Sequence, residues 1–272
     1  DLHYPLRRQR QMCIRDSLGF AQDYNVSVSG GSEKIKTYTS VGYYNEDGAV
    51  KGYDYKRYNL RFNVDYQATD WLTIKPKVWA TRSDVMDQQQ DLGAIMYVNF
   101  PWDSPYDENG DLIQQYRPTT WINSDATNYL YDLQWNYEKK TSYEFMGNFD
   151  FDIKFTDWLT FASVNNYKYN SILFKSYQDP RSKKGEADNG LLQDKTTASY
   201  RVYSNQLLRF NKVFDKHSIN AILAYEWNTF TQEIKDQTAA SFAPGFSVAD
   251  VAPTPKTIKG EQKEWAVQSY LF

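Results

Sequence analysis

The chain has 272 residues, of which 17% are aromatic and 24% are charged, and its formal net charge is −3. Its mean hydropathy is −0.73, and no apolar run approaches the roughly 20 residues of a transmembrane helix, so a helical membrane protein is excluded. The chain lacks the excess of basic residues that a nucleic-acid-binding surface requires. Its one cysteine cannot form an intrachain disulfide, and one cysteine with two histidines is too few for a clustered zinc site. We therefore expect no nucleic-acid partner, no metal and no cofactor.

The first residues differ in pattern from the rest of the chain. Leu6–Arg15 is basic and shows neither regular alternation nor the long apolar core of a secretory signal. We expect residues 1–17 to be a non-native or disordered lead, with the folded domain occupying residues 18–272.

Alternation of apolar and polar residues predicts β-strands along that domain. In Arg57–Gln67 the apolar residues from Tyr58 to Tyr66 fall on one face and the polar ones on the other, the period of two of a half-buried strand. With this segment included, nine strands are predicted in chain order: 24–30, 35–44, 57–67, 72–81, 142–155, 159–169, 200–214, 219–227 and 264–272. Pro76 predicts a bulge or irregular pairing, because proline cannot donate a ladder hydrogen bond. We expect the ninth strand to be cut before its partner.

Strand and loop lengths favour a membrane barrel over a soluble sheet. Several segments reach about ten residues, the length that a tilted strand needs to cross a bilayer, whereas soluble strands usually have five or six. Short turns at 30–33, 68–70, 156–157 and 215–216 alternate with longer connections at 45–52, 83–140, 170–196 and 232–263. Barrels with periplasmic turns and extracellular loops show this rhythm. The predicted fold class is all-β, an antiparallel up-and-down transmembrane β-barrel, with about eight to nine strands of a larger barrel present.

An internal repeat marks equivalent hairpins. Thr69–Thr73 recurs as Thr156–Thr160, and each copy closes one strand and opens the next. Asp is favoured in a tight turn, and Trp at a strand end can anchor a membrane interface. A packed Trp in the turn of a soluble sheet would give the same pattern.

Several ordered motifs resemble a known family. They are Asn25–Lys34, Tyr38, Ser40–Tyr43, Glu46–Gly48 and Lys56–Tyr58, then Asn205–Leu208, Asn211–Lys212, Lys216–Ala221 and Ala224–Glu226. Together they resemble barrel hairpins of the SusC/RagA family of TonB-linked transporters. Pro101, Pro105, Tyr106–Asp107 and Asn109–Gly110 resemble its long-loop pattern. The resemblance covers nearly all of the chain from about Leu18.

The resemblance implies a barrel of about 22 strands with an internal plug, located in the bacterial outer membrane. It also implies a SusD-like surface lipoprotein as partner and energy delivered through the TonB complex. On this basis the chain is a fragment of a transporter or receptor that imports oligosaccharides or other large nutrients. From the resemblance we expect the plug and the segment that contacts TonB to lie outside this chain.

The sequence supplies no catalytic constellation, and we expect no enzyme activity. The carboxylates of Asp103, Asp107, Glu108 and Asp111 have no fixed separation, and Asn109–Gly110 is better interpreted as a turn. Aromatic residues crowd the longest loop and could stack on a glycan or contact a peptide, or they could pack the loop on itself or on a lid protein. The candidate substrate-binding residues are Trp102, Tyr106, Tyr116, Trp121, Tyr129 and Trp135.

A second set of residues is predicted to face the lumen of the barrel and to bind a plug or water rather than substrate. Its members are Arg57, Arg61, Asp65, Asp150, Asp152 and Lys154.

Two other function classes stay open at this point: a soluble β-sandwich that serves as a carbohydrate-binding module or adhesin, and a secreted β-rich glycosidase. A barrel predicts that a row of apolar residues points outward, whereas a soluble fold must bury the same row. The row is Leu60, Phe62, Val64, Phe149, Phe151 and Leu223. A glycosidase would require two carboxylates about 5 to 10 Å apart in a cleft.

Overall fold

The computed structural model describes residues 19–89, 103–115, 127–249 and 254–272. Within these ranges, nine strands form one sheet in chain order, each antiparallel to the next. The strands are β1 (Phe20–Gly31), β2 (Ile35–Asp47), β3 (Asp54–Gln67), β4 (Leu72–Asp87), β5 (Tyr137–Lys154), β6 (Leu159–Gln178), β7 (Leu191–Phe214), β8 (His217–Ala240) and β9 (Thr254–Leu271). Each predicted strand is present, and the all-β up-and-down architecture is confirmed. The expected lead at residues 1–17 lies outside the described residues.

The later strands extend further toward the long loops than the sequence predicted. β7 and β8 have 24 residues each, so the connections predicted at 170–196 and 232–263 shrink to 179–190 and 241–253. The connection predicted at 83–140 likewise begins after Asp87 and ends before Tyr137. The predicted loop bounds were wrong because the additional strand residues are polar on both faces, as at Asp194 and Lys195. The alternation of apolar and polar residues therefore disappears there, although the backbone hydrogen bonds between the strands continue.

The tight turns all lie at one end of the sheet, which we call the turn end; the opposite end is the loop end. The repeated turns are equivalent in detail. Thr69 Oγ1 accepts a hydrogen bond from the Leu72 N–H at 3.1 Å, and Thr156 Oγ1 accepts one from the Leu159 N–H at 3.0 Å. The two-residue turn after β7 uses Asp215 at φ 48°. The internal repeat therefore marks two hairpins closed by the same hydrogen bond.

Pro76 interrupts the pairing of β3 with β4. Paired residues run to Asn63 opposite Lys77 and resume at Tyr66 opposite Ile74, without a change of register. The predicted irregular pairing is therefore present, and it involves no inserted bulge residue. This follows from the missing N–H of proline, which removes one ladder bond without adding a residue.

The sheet leaves its apolar row uncovered. Leu60 is 42% exposed, Phe62 40%, Phe149 53% and Leu223 55%, while Val64 and Phe151 are half-buried. No second layer of described residues covers them. The prediction of an outward apolar face is confirmed, and burial between two layers of a soluble sandwich is not observed.

The described hydrophobic core is small and lies at the loop end. It consists of Tyr177, Leu192, Ala239 and Phe242, with Tyr137 packed against it. A single turn of helix, α1 (Tyr129–Asp132), also lies at the loop end and is capped by the Asn128 side chain. A 3₁₀ turn lies at Glu186–Asp188. No helix among the described residues is long and apolar enough to span a membrane.

Candidate functional site

The strand register gathers the predicted lumen-facing residues on one side of the sheet. Directly opposed residues of an antiparallel pair share a face. Arg61 is opposed to Trp79, and Trp79 to Met146, which puts the odd positions of β3 on the same face as the even positions of β5. We call this the polar face; it carries Arg57, Arg61, Asp65, Asp150, Asp152 and Lys154. The apolar row lies on the opposite face.

A shallow pocket of about 470 Å³ lies on the polar face between β2 and β5. Arg57 and Arg61 line it together with Trp79 and Glu144. The Arg57 guanidinium lies 5.5 Å from the centre of the Tyr44 ring. The pocket therefore offers cations, an indole and a carboxylate on one surface.

The two arginines of this pocket make no ion pair with any described residue. Arg57 Nε is buried and has no hydrogen-bond partner among those residues. A buried donor that lacks a partner costs free energy, so Arg57 is suited to bind a group contributed from elsewhere.

Three of the other predicted lumen-facing residues are occupied within the sheet. Asp152 accepts a hydrogen bond from Lys75 Nζ at 2.6 Å, and Asp150 accepts one from the Asn165 N–H at 3.2 Å. Lys154 Nζ lies 2.7 Å from Asp157. These contacts hold neighbouring strands and the turn, so the carboxylates and Lys154 are less available than Arg57 for a ligand.

The loop aromatics differ in how much ring surface they leave free. Tyr106 is 45% exposed and Tyr129 only 6%. The half-buried Trp135 lies beneath the Arg181 guanidinium, 4.8 Å from the ring centre, and Tyr131 meets its edge at 4.9 Å. The structure therefore packs Tyr129 and Trp135 within the loops and leaves Tyr106 accessible. Trp102, Tyr116 and Trp121 lie outside the described residues.

Asp179 joins three connections at the loop end. Its carboxylate accepts hydrogen bonds from Arg181 Nε at 2.7 Å, Arg181 Nη2 at 2.9 Å and the Gly245 N–H at 2.9 Å. Its own N–H donates to Asn136 Oδ1 at 2.8 Å. Burial alone would raise the pKa of Asp179, but the hydrogen bonds from Arg181 and Gly245 outweigh it and lower that pKa to about 2.

Asp132 fixes the same loops from the other side. Its carboxylate accepts hydrogen bonds from the Lys183 N–H at 2.7 Å and the Lys184 N–H at 3.2 Å. Alternation gave no sign of either aspartate, because both lie beyond the regular strands. The Asp179–Pro180 pair was the available signal, since an Asp before Pro favours a turn.

The acidic loop around Asp107 forms a turn. Asp107 Oδ1 accepts hydrogen bonds from the Asn109 N–H at 2.8 Å and the Asp111 N–H at 2.9 Å. These bonds, that of Asp111 first, lower the pKa of Asp107, and Gly110 has φ 89°. The interpretation of Asn109–Gly110 as a turn is confirmed. Among the residues that the structure describes, no group of His, Cys, Asp or Glu is arranged to hold a metal ion.

No protein-family model matches the chain. Two curated proteins of Formosa agariphila are similar in sequence. TonB-dependent receptor P26 is 26% identical in an alignment that covers 93% of this chain and 26% of the relative. TonB-dependent receptor P39 is 23% identical in an alignment that covers 87% of this chain and 23% of the relative. The chain thus spans about a quarter of the length of these relatives.

Solved structures show the same fold. The structure of the RagAB peptide transporter matches with a TM-score of 0.75 at 16% identity, over 92% of this chain and 29% of that one. The RagAB peptide importer in its open-open state matches with a TM-score of 0.74 over the same shares. The chain is thus similar in sequence to TonB-dependent receptors, as the motifs predicted, and it shares the antiparallel barrel-wall fold of the RagAB transporter.

Proposed function

We propose that the protein to which this chain belongs imports large nutrients across the bacterial outer membrane and performs no bond chemistry of its own. One observation carries the proposal. A single-layer antiparallel sheet exposes apolar side chains such as Leu60 and Leu223 on one face and collects unpaired cations around a pocket on the other. An apolar outside and a polar inside are what a barrel wall between lipid and water requires.

The names of the similar proteins support the same proposal. The relatives from Formosa agariphila are TonB-dependent receptors, and the RagAB complex is a peptide transporter. None of these names describes an enzyme. For this protein we propose oligosaccharides or other large nutrients as cargo, energy from the TonB complex and a SusD-like surface lipoprotein as partner.

In this proposal the two ends and two faces of the sheet have separate roles. The polar face, with Arg57 and Arg61, lines the lumen, where it meets water, the plug and passing cargo. The loop end faces the outside of the cell. There Asp179 and Asp132 hold the connections together, and Tyr106 and other loop aromatics contact the ligand or the lid protein.

The alternative of a soluble carbohydrate-binding module or adhesin receives less support. A water-soluble sheet of this size would have to cover its apolar face, because large contiguous apolar patches are rare on soluble monomers. Here that face runs uncovered from Leu60 in β3 to Leu223 in β8.

The test uses the full-length polypeptide that carries this chain, expressed in its native host. We expect it in the outer-membrane fraction, and we expect its gene deletion to abolish uptake of a fluorescent oligosaccharide while uptake of the monosaccharide is unchanged. Recovery in the soluble fraction would contradict the proposed location. Unchanged growth and uptake of the deletion strain on all oligosaccharides and peptides supplied would contradict the proposed transport.

A further inference from the structure

One cross-strand row of the polar face combines cations and aromatic rings through most of the sheet. The directly opposed pairs are Arg61 with Trp79, Trp79 with Met146, Met146 with Lys168, Lys168 with Arg201, Arg201 with Phe230, and Phe230 with Trp265. We call these residues the basic–aromatic row. It runs from β3 to β9 and contains three cations, three aromatic residues and no carboxylate.

The cations of this row lack counter-ions. Arg61, Lys168 and Arg201 are exposed, and none forms an ion pair with a described residue. Lys168 and Arg201 are directly opposed on neighbouring strands, an arrangement in which like charges destabilise the sheet. Two opposed cations that have no ion-pair partner among the described residues are the arrangement expected where an anion binds.

Two aromatic members of the row, Phe230 and Trp265, lie next to Arg201. The rings of Phe230 and Trp265 are stacked, with centres 5.7 Å apart and planes at 22°. The Arg201 guanidinium lies 5.4 Å from the Trp265 ring centre, and Trp265 remains 39% exposed. An exposed aromatic ring next to a cation suits a sugar ring that carries a carboxylate or sulfate group.

Amide side chains flank the row on both sides. Asn170 on one side and Asn228 on the other each have a buried Oδ1 without a hydrogen-bond partner among the described residues. Such acceptors need a donor that the described part of the chain does not supply. Sugar hydroxyls are suitable donors, and they can also accept from the amide nitrogens.

We propose that the basic–aromatic row binds anionic oligosaccharides, that is, sugars bearing carboxylate or sulfate groups, as they pass the barrel wall. The cations select the charge, the aromatic rings stack on the sugar, and the flanking amides bind its hydroxyls. This inference rests on the proposed transport function and adds the charge of the cargo to it. A sugar is favoured over an acidic peptide because each sugar ring carries several hydroxyl donors for the unpaired amide acceptors, whereas a peptide offers one backbone N–H per residue.

The experiment is calorimetric titration of the full-length polypeptide, purified in detergent, with an oligogalacturonate and with its fully methyl-esterified form of equal length. We expect the acid form to bind more tightly, with a preference that falls as salt is added. Arg201→Gln and Lys168→Gln should each weaken binding of the acid form about tenfold and thereby reduce its advantage over the ester. Lys195→Gln, on the same strand and face as Arg201 but outside the row, is the matched control and should behave as the wild type.

Two further measurements keep the outcome decisive. Arg201→Lys retains the charge and should retain most of the preference; heat-dependent gel mobility identifies any variant that fails to fold. Equal affinity for acid and ester, or equal loss in Lys195→Gln, would overturn the inference, as would a glutamate peptide that competes as well as the oligogalacturonate. Uptake is measured separately with the deletion strain. Absence of charge selectivity in binding with intact transport therefore refutes this inference alone, whereas absent transport refutes the proposed function.

Discussion

Asp179 and Arg181 form a two-point ion pair in which the carboxylate is almost fully buried. Arg181 Nε and Nη2 donate to Oδ1 and Oδ2 at 2.7 and 2.9 Å, and the Asp179 side chain is 1% exposed. The same guanidinium covers the Trp135 ring. The buried Asp179 carboxylate thereby links the loops through its hydrogen bonds. Through Arg181 it also limits how much of the Trp135 ring is accessible.

Replacing this carboxylate should loosen the loop end without unfolding the barrel. In Asp179→Asn the guanidinium loses its charged hydrogen-bond partner, and the loss of such a bond costs about 1.5–3 kcal/mol. We expect hydrogen exchange in 179–190 and 241–246 to speed up while the exchange of β3 and β4 stays unchanged, measured on the full-length polypeptide. Lys183→Gln, which removes the exposed ion pair with Glu186, is the control and should have no measurable effect. Uniform acceleration over the whole sheet would show that Asp179 has no local role.

The lowered pKa of Asp179 predicts how the loop end responds to acid. Its folded pKa of about 2 lies below the value of about 3.9 for an unfolded Asp. The carboxylate therefore stabilises the folded loops fully at neutral pH, by about 2 kcal/mol, and this contribution disappears as the pH falls from about 4 to about 2. Protease resistance of 179–190 should stay constant down to about pH 4 and then decline, with an acid-resistant protease as probe. Asp179→Asn should lack this decline.

The sequence predicts the part of the fold in which the two faces of a strand have different surroundings. Between Tyr58 and Tyr66 one face is apolar and the other polar, so alternation identified β3 correctly. Toward the loop end of β7, Asp194 and Lys195 lie on opposite faces and are both polar, so the periodic signal vanished although the ladder continues to Leu191. Alternation reports a difference in environment, not the presence of backbone hydrogen bonds.

The candidate site was predicted less completely, for a related reason. The lumen-facing set came from the polar positions of two clear strands, and the register does put Arg57 and Asp150 on one face. The basic–aromatic row joins residues from seven strands, and the register that opposes Lys168 to Arg201 and Arg201 to Phe230 is not fixed by any one strand. The role of Asp179 depends in the same way on the meeting of three connections that are distant in sequence.

The repeated turn hydrogen bond predicts equal effects of two distant substitutions. Thr69→Ala and Thr156→Ala each remove the hydroxyl that accepts from a Leu N–H two positions beyond the Asp. Each should lower the free energy of unfolding by about 0.5–1.5 kcal/mol. Urea titration of the full-length polypeptide in lipid vesicles, followed by Trp fluorescence, would measure the change. Thr160→Ala, in the same repeat but without a side-chain hydrogen bond in the described structure, should cost less; equal losses in all three variants would contradict the assigned bond.

The final prediction concerns the two faces of β8, where adjacent apolar residues of similar exposure point in opposite directions. Leu223 is 55% exposed and is opposed to Leu208, whereas Ile222 is 49% exposed and is opposed to Arg209 on the polar face. If the apolar face contacts lipid, Leu223→Arg must bring a charge into the bilayer, at a cost of about 2–4 kcal/mol near its midplane. Ile222→Arg places the same charge on the aqueous side and should cost far less.

The pair can be compared by membrane insertion of the full-length polypeptide, scored by heat-dependent gel mobility and by protease protection. We expect Leu223→Arg to insert poorly and Ile222→Arg to insert like the wild type, because the variants differ only in the face that carries the charge. The reverse order would mean that the polar face is the one in contact with lipid. Insertion of both variants at the wild-type level would mean that neither face contacts the bilayer. The assignment of inside and outside on which the transport proposal depends would then be wrong.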